Sequence, residues 1–177
     1  MAGFGKAILI SIMAVAAILV LFNMAFLFPW YMEIIETTFE VTQMIATDNY
    51  LTFENYTEVY ETLKNKPIFC EMRDSVKIEA FHADGRKSAI EAANPPGYDV
   101  NYYYDKEIDE KPYVQMGNLV TVYISATYPF RMEILGRSIV ATEIPVTFSM
   151  TTSTTRHYKD LPYDYGISGD YFYDYDD

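Results

Sequence analysis

The stretch GKAILISIMAVAAILVLFNMAFLFPWYMEIIE, residues 5–36, contains the long apolar run of the sequence. It has no charged side chain from Ala7 to Met32, and as a helix that segment is about 39 Å long, whereas the hydrocarbon core of a bilayer is about 30 Å thick. A cleaved secretory signal has an apolar core of about 7–15 residues, but this run continues through Phe26 and Phe28. The sequence therefore predicts a helix that spans a membrane or forms the shaft of a filament.

The charges around this segment predict its orientation. Lys6 is the only charged side chain before it, and Glu33 follows it, so the amino terminus is expected inside and the body outside. The chain has 13 Lys and Arg against 25 Asp and Glu, a formal charge of -12. Because phosphate contacts need clusters of Lys and Arg, which the sequence lacks, nucleic acid is not an expected partner.

Enzyme chemistry finds little support in the residues. His82 and His157 are the only histidines, and neither lies in a metal-binding spacing or beside a nucleophile signature. Acidic residues are too common for any pair to be singled out, and no glycine-rich phosphate loop follows a strand. We therefore predict no catalytic, cofactor-binding or metal-binding residue and expect that the chain is not an enzyme. Cys70 is the only cysteine, so an intramolecular disulfide is excluded.

After the apolar segment, two helical patterns are expected. The first helix continues as an amphipathic stem to about Thr47, with a kink at Pro29 and with Trp30 in the headgroup layer. A second helix is expected to begin with Thr52 or a neighbour as its N-cap and to stop at Asn65-Lys66-Pro67. Asn55 lies in the sequon Asn-Tyr-Thr within that helix and is a candidate for glycosylation.

The remainder of the body shows strand periodicity. Residues 75–81 alternate, with a turn predicted at Asp84-Gly85, and residues 119–150 form two alternating strands around a turn at 135–138. Pro129 and Pro145 are expected at an edge, a bulge or a strand end, because proline donates no ladder hydrogen bond. Residues 92–111 are expected to be a surface excursion. The predicted fold class is α+β, a long apolar helix packed on a small, mostly antiparallel sheet.

These patterns divide the chain into five predicted parts. They are a cytoplasmic terminus (1–6), a transmembrane or filament-core helix (7–32), a stem with a second helix (33–66), an extracytoplasmic β-rich domain (67–159) and an acidic, tyrosine-rich tail (160–177). Three interpretations of the tail stay open: a solvated segment, a strap along a neighbouring subunit, or a cation-binding segment. The strap would use Tyr163, Tyr165, Tyr171, Phe172, Tyr173 and Tyr175.

A short terminus, an apolar helix that continues into a stem and a C-terminal sheet resemble the type IV pilin superfamily. The segment MGNLVTVYISATYPFRMEILGRSIVATEIPVTFSMTTSTTRHYKD, residues 116–160, resembles the C-terminal half of tight-adherence pseudopilin-like proteins, including families in Gram-positive secretion and conjugation loci. The chain differs from bacterial prepilins because it has no acidic residue before Glu33. Lys6-Ala7-Ile8-Leu9 is similar to an archaeal prepilin peptidase site, with cutting after Ala7.

The resemblance implies a structural subunit of an extracellular, pilus-like filament. Its expected partners are identical subunits in a helical homopolymer, the membrane before assembly, and an assembly or secretion machinery. The alternative is a permanently anchored accessory protein of a secretion or conjugation apparatus, which never polymerises. The residues expected in the polymer core or the membrane are Ile8, Ile12, Ala14, Ala16, Ala17, Leu19, Leu21, Phe26 and Phe28.

Overall fold

Two α-helices and a three-stranded antiparallel sheet form the framework of the described chain. The computed structural model describes the backbone of residues 2–69, 71–88, 106–134 and 137–162, and the side chains of residues 3–69, 71–88, 106–131 and 141–162. The elements are α1 (Ala2–Asp48), α2 (Phe53–Asn65), β1 (Lys77–His82), β2 (Leu119–Ile134) and β3 (Arg137–Ser153). Short 3₁₀ turns lie at Pro67–Phe69, Arg73–Ser75 and Ile108–Glu110.

The residue directly after α1 ties three segments together. Asn49 has φ 64°, the left-handed conformation that asparagine tolerates better than most residues, and its N–H donates to the Ile45 carbonyl at 2.7 Å. Its side chain is fully buried, donates to the carbonyls of Val114 (2.7 Å) and Arg156 (2.6 Å), and accepts from Arg156 N at 2.9 Å. The C-terminus of α1 is thereby fixed to the segments before β2 and after β3.

Helix α2 has the boundaries that its capping residues predict. Thr52 is the N-cap, and its hydroxyl accepts from Asn55 N at 3.2 Å, as expected. The helix ends at Asn65, directly before Lys66-Pro67. Val59 and Leu63 are buried in the hydrophobic core, while Asn55 is half-buried in the first turn. Glycosylation of Asn55 stays a prediction.

The sheet has the order β1-β2-β3, and its long β2–β3 hairpin extends well beyond β1. β1 reaches only residues 120–125 of β2 and bridges Lys87 through Phe81 on its other side, whereas β2 and β3 pair from Leu119↔Ser153 to Ile134↔Arg137. Both prolines lie inside these strands. The Thr127 N–H points to the β1 side, where it has no partner in β1 and donates instead to Ser75 Oγ at 2.9 Å.

That direction explains how the two prolines fit the ladder. Pro129, two residues after Thr127, points to the same side, beyond the end of β1. Pro145 pairs with Thr127 and so points to the outer edge of β3. Neither position needs a backbone N–H for the β2–β3 ladder, and the expectation that each proline lies at an edge, a bulge or a strand end is confirmed.

The main core lies between the C-terminal half of α1 and one face of the sheet. The α1 residues are Trp30, Ile34, Val41 and Ile45, and the strands contribute Ile78, Ala80, Val120, Val122, Ile124, Ala126 and Tyr128. A smaller cluster contains Tyr50, Tyr113, Tyr158 and Leu161. Thr38 and Thr42 are buried on α1, and their hydroxyls donate to the carbonyls of Ile34 (2.7 Å) and Thr38 (2.6 Å).

The α+β class, the long apolar helix and the small antiparallel sheet are therefore confirmed. The turn of β1 also follows the prediction, because Gly85 has φ 86° and its N–H donates to the His82 carbonyl at 2.9 Å. Pro29 lies inside α1, and the kink predicted there stays a prediction. Cys70, most of the excursion at 92–111, Leu135-Gly136 and the tail from residue 163 lie outside the described residues.

Candidate membrane and assembly surface

The N-terminal half of α1 presents apolar side chains on every side. Among the residues predicted for the membrane or polymer core, Ile8, Ile12, Ala14, Ala17, Leu21, Phe26 and Phe28 are exposed, and Ala16 and Leu19 are half-buried. Phe26 and Phe28 each expose 67% of their surface. Among the described residues, one helix is long and apolar enough to cross a membrane, and it is α1. This surface is therefore compatible with insertion into a membrane.

A single line of half-buried positions connects the exposed half of α1 to the packed half. These positions are Ala16, Leu19, Asn23 and Leu27, followed by the buried Trp30 and Ile34. Their spacing of three or four residues places them on one face of the helix. Leu27 already packs against the main core, so the body of the protein contacts α1 well inside the segment predicted to span the membrane.

Trp30 is in the core of the domain and not in a headgroup layer. It is 2% exposed, and its ring lies 5.4 Å from Phe69 and 5.4 Å from Tyr128, measured between ring centroids. Within the described residues its Nε1 is buried without a hydrogen-bond partner. The expectation for Trp30 was wrong. A tryptophan near the end of an apolar run can lie at a membrane interface or under the protein's own sheet, and its place in the sequence does not distinguish the two.

Asn23 joins α1 to the hairpin. Its Nδ2 donates to the Arg131 carbonyl at 3.0 Å and to the Leu19 carbonyl at 3.0 Å, while the Tyr128 hydroxyl donates to the Asn23 carbonyl at 2.9 Å. Arg131 itself is exposed and forms an ion pair with Glu71 at 3.1 Å. Sequence reasoning did not single out Asn23, although its signal was present: it is the only amide in an otherwise apolar run.

A buried polar cluster lies at the other end of the domain. Asp160 Oδ2 accepts from Lys111 Nζ at 2.9 Å and from the Tyr113 hydroxyl at 2.7 Å, and both charged side chains are less than a tenth exposed. Burial acts to raise the pKa of Asp160, but the bonds from Lys111 and Tyr113 outweigh it, and the pKa is lowered. Burial and the contact with Asp160 raise the pKa of Tyr113.

This cluster also fixes the start of the predicted tail. Asp160 is held in the ion pair, and Leu161 is buried in the smaller core cluster. Gln115 Nε2 donates to the carbonyls of Tyr158 (2.9 Å) and Leu161 (3.2 Å). The first two residues of the segment 160–177 therefore belong to the folded domain and are not solvated. The six aromatic residues proposed for the strap lie outside the described residues.

The two histidines make structural contacts. His82 is buried, and its Nε2 lies 2.6 Å from the Pro112 carbonyl, while Nδ1 of His157 lies 3.0 Å from Gln115 Oε1. Burial lowers the pKa of His82, and the bond to Pro112 offsets this in part. His82 borders an open cleft together with Asp84 and Arg86, whose side chains pair with each other at 2.7 Å.

No group of three or more His, Cys, Asp or Glu side chains in the described part of the chain could hold a metal ion. The geometry thus gives no reaction to assign, and the expectation that the chain is not an enzyme stays a prediction.

Comparison with known proteins adds no identification. No protein-family model, no curated protein and no solved structure matches the chain. The resemblance to type IV pilins consequently remains an interpretation of the sequence.

Proposed function

We propose that this protein is a structural subunit of a pilus-like extracellular filament. In this proposal it first sits in the cytoplasmic membrane with its amino terminus inside, and it then polymerises through the apolar half of α1. The observation that carries the proposal is the contrast within α1: residues 3–28 are exposed apart from one half-buried line, whereas the helix from Trp30 onward is built into a folded domain.

The free energy of hydration explains why the exposed half needs a partner. Covering one Leu, Ile or Phe side chain stabilises by about 1.5–3 kcal/mol, and many such side chains protrude from this helix. A bilayer can cover such side chains, and so can identical helices around them. Ala14, Ala16 and Ala17 are small enough to let neighbouring helix backbones approach closely.

The alternative is a permanently anchored accessory protein of a secretion or conjugation apparatus. The observation that favours it is the layout of charge, since Lys6 before and Glu33 after a charge-free segment are what a simple single-span anchor requires. The two functions have the same folded monomer and differ in whether lipid or identical helices finally surround α1.

Electron microscopy of material sheared from cells, together with mass spectrometry of the intact chain, tests the proposal. Filaments that contain this chain would support it, and the mass would show whether residues 1–7 are retained. If the chain remains in the membrane fraction and no filament contains it, the filament proposal is overturned and the anchor is favoured.

A matched pair of charge substitutions gives a second test. Ala17→Asp places a carboxylate on the exposed apolar helix, and we expect it to abolish filaments because neighbouring helices cannot cover an unpaired charge. Ser149→Asp adds the same charge to an exposed position on β3 and should leave assembly intact. Filaments at normal yield from Ala17→Asp would contradict the proposed polymer core.

A further inference from the structure

The β2–β3 hairpin follows α1 from its C-terminal end toward the predicted membrane segment. Thr155 N donates to the Ala46 carbonyl at 2.9 Å, the rings of Tyr31 and Phe148 lie 6.3 Å apart, and the Arg131 carbonyl accepts from Asn23. Beyond Arg131 the strand continues to Ile134. The hairpin therefore lies beside a part of α1 that the sequence alone would place inside the bilayer.

The outer part of this hairpin, here called the distal ribbon, consists of residues 126–134 and 137–146. The pairing of β1 with β2 does not extend past Lys77↔Ser125, so in the described chain no strand pairs with the distal ribbon on either outer edge. The ribbon also carries charged residues, of which Arg131 and Glu143 are exposed. Open strand edges are not found in contact with hydrocarbon, because their free N–H and C=O groups have no partner there.

We infer that the lipid-contacting surface of the protein ends at Asn23, so that the hydrocarbon core covers residues 7–22 and not residues 7–32. Asn23 is the position where a carbonyl from the free edge of β2 meets α1. With the hairpin docked, a bilayer that extended to Met32 would have to enclose the distal ribbon. The docked sheet, and not the end of the apolar run, sets the depth of the helix.

The remaining length is sufficient for a membrane span. Residues 7–22 give about 24 Å of helix, somewhat less than the hydrocarbon thickness of about 30 Å. The Lys6 side chain can extend its apolar stem through the difference and keep its charge at the surface, and local thinning accommodates the rest. Phe26 and Phe28 then lie in or above the headgroup layer, about one to two helical turns from Asn23.

Depth measurements with spin labels test this boundary. Labels are placed singly at Ile12, Leu21 and Phe28, three exposed positions, in the full chain carrying Cys70→Ser, with one chain per lipid nanodisc. Their accessibility to oxygen and to a water-soluble nickel complex reports depth. A span of 7–22 has its centre near residues 14–15, so the label at position 12 should be deep and the label at position 28 accessible to nickel.

The longer span, residues 7–32, predicts a different depth profile for the same three labels. A span of 7–32 has its centre near residues 19–20, about 7 Å of helix further along, and places positions 12 and 28 at nearly equal depth, with position 21 deepest. That pattern would overturn the inference. The inference rests on the membrane-inserted stage, which the filament subunit and the anchor share, so a failure to find filaments would leave the depth profile unchanged.

Discussion

The two halves of α1 both contain isoleucines but place them in opposite environments. Ile8 and Ile12 expose 46% and 57% of their surface, whereas Ile34 and Ile45 are completely buried. The first half has apolar residues on all faces, and the second alternates them with Glu33, Glu36 and other polar residues. An isoleucine in this helix thus stabilises the folded domain only where the sheet covers it. In the exposed half, it can stabilise only contacts with lipid or with other chains.

Truncating one isoleucine in each half of α1 is the strongest test of this difference in environment. Ile34→Ala should lower the free energy of unfolding by about 4 kcal/mol, because it removes buried methyl groups and leaves a cavity. Ile12→Ala should change it by less than about 0.5 kcal/mol, since that side chain is exposed. Denaturant unfolding of both variants in the same mild detergent measures the difference.

Equal losses from the two variants would contradict the division of α1. They would mean that the exposed half folds back onto the domain in solution. Circular dichroism at the start of each titration verifies that both variants retain the helical content of the parent chain.

The buried ion pair between Lys111 and Asp160 is expected to give the next largest effect on the free energy of unfolding. It lies at the end of the domain remote from Asn23. Lys111→Met leaves the Asp160 carboxylate buried without its cationic partner, and we expect a loss of about 3 kcal/mol. Glu71→Gln is the matched control, because its ion pair with Arg131 is exposed on both sides and should contribute less than about 1 kcal/mol. Similar small losses from both would show that the segment around Asp160 is not part of the cooperative domain.

The smallest effect is the pH dependence that His82 adds to the packed region. Its pKa is lowered by burial, so the unfolded chain binds a proton more readily than the folded one. The corresponding stability is present above the ordinary pKa of about 6.5 and is lost as pH falls through the lowered value in the folded state. The melting temperature of the domain should therefore fall between pH 7.5 and pH 5.5.

His82→Gln identifies the source of this dependence. Glutamine can still donate to the Pro112 carbonyl but does not titrate, so the variant should show a flatter profile over the same range. Asp160 also has a lowered pKa, but it loses its contribution at a lower pH, below about 3.8. A fall of unchanged size in His82→Gln would assign the dependence to other groups.

Much of the local structure followed from short-range signals. Thr52 and Asn65-Lys66-Pro67 bound α2, the alternation of residues 76–80 gives β1, and Gly85 adopts the positive φ of the following turn. The two prolines were correctly expected at edges, because a missing N–H restricts them wherever the partner strands lie. These features depend on a residue and its close neighbours in the chain, which is why the sequence reveals them.

Contacts between distant segments were not predictable in the same way. Nothing near Asn49 in the sequence indicates that its amide bonds to Val114 and Arg156, and nothing near Asp160 indicates Lys111. The same holds for Asn23 and Trp30: in a segment that is apolar on all sides, periodicity cannot identify the face that a sheet will cover.

Charge, hydropathy and strand alternation are properties of the chain, so the sequence alone predicts a long charge-free helical segment followed by an acidic α+β body. How far that body extends along the helix depends on tertiary contacts. The position of the hairpin along α1 depends on contacts between residues about a hundred positions apart, as Asn23 and Arg131 are. Through these contacts the folded domain covers α1 beyond Trp30 and as far as Asn23. Asn23 lies inside the run that hydropathy alone assigns to the membrane.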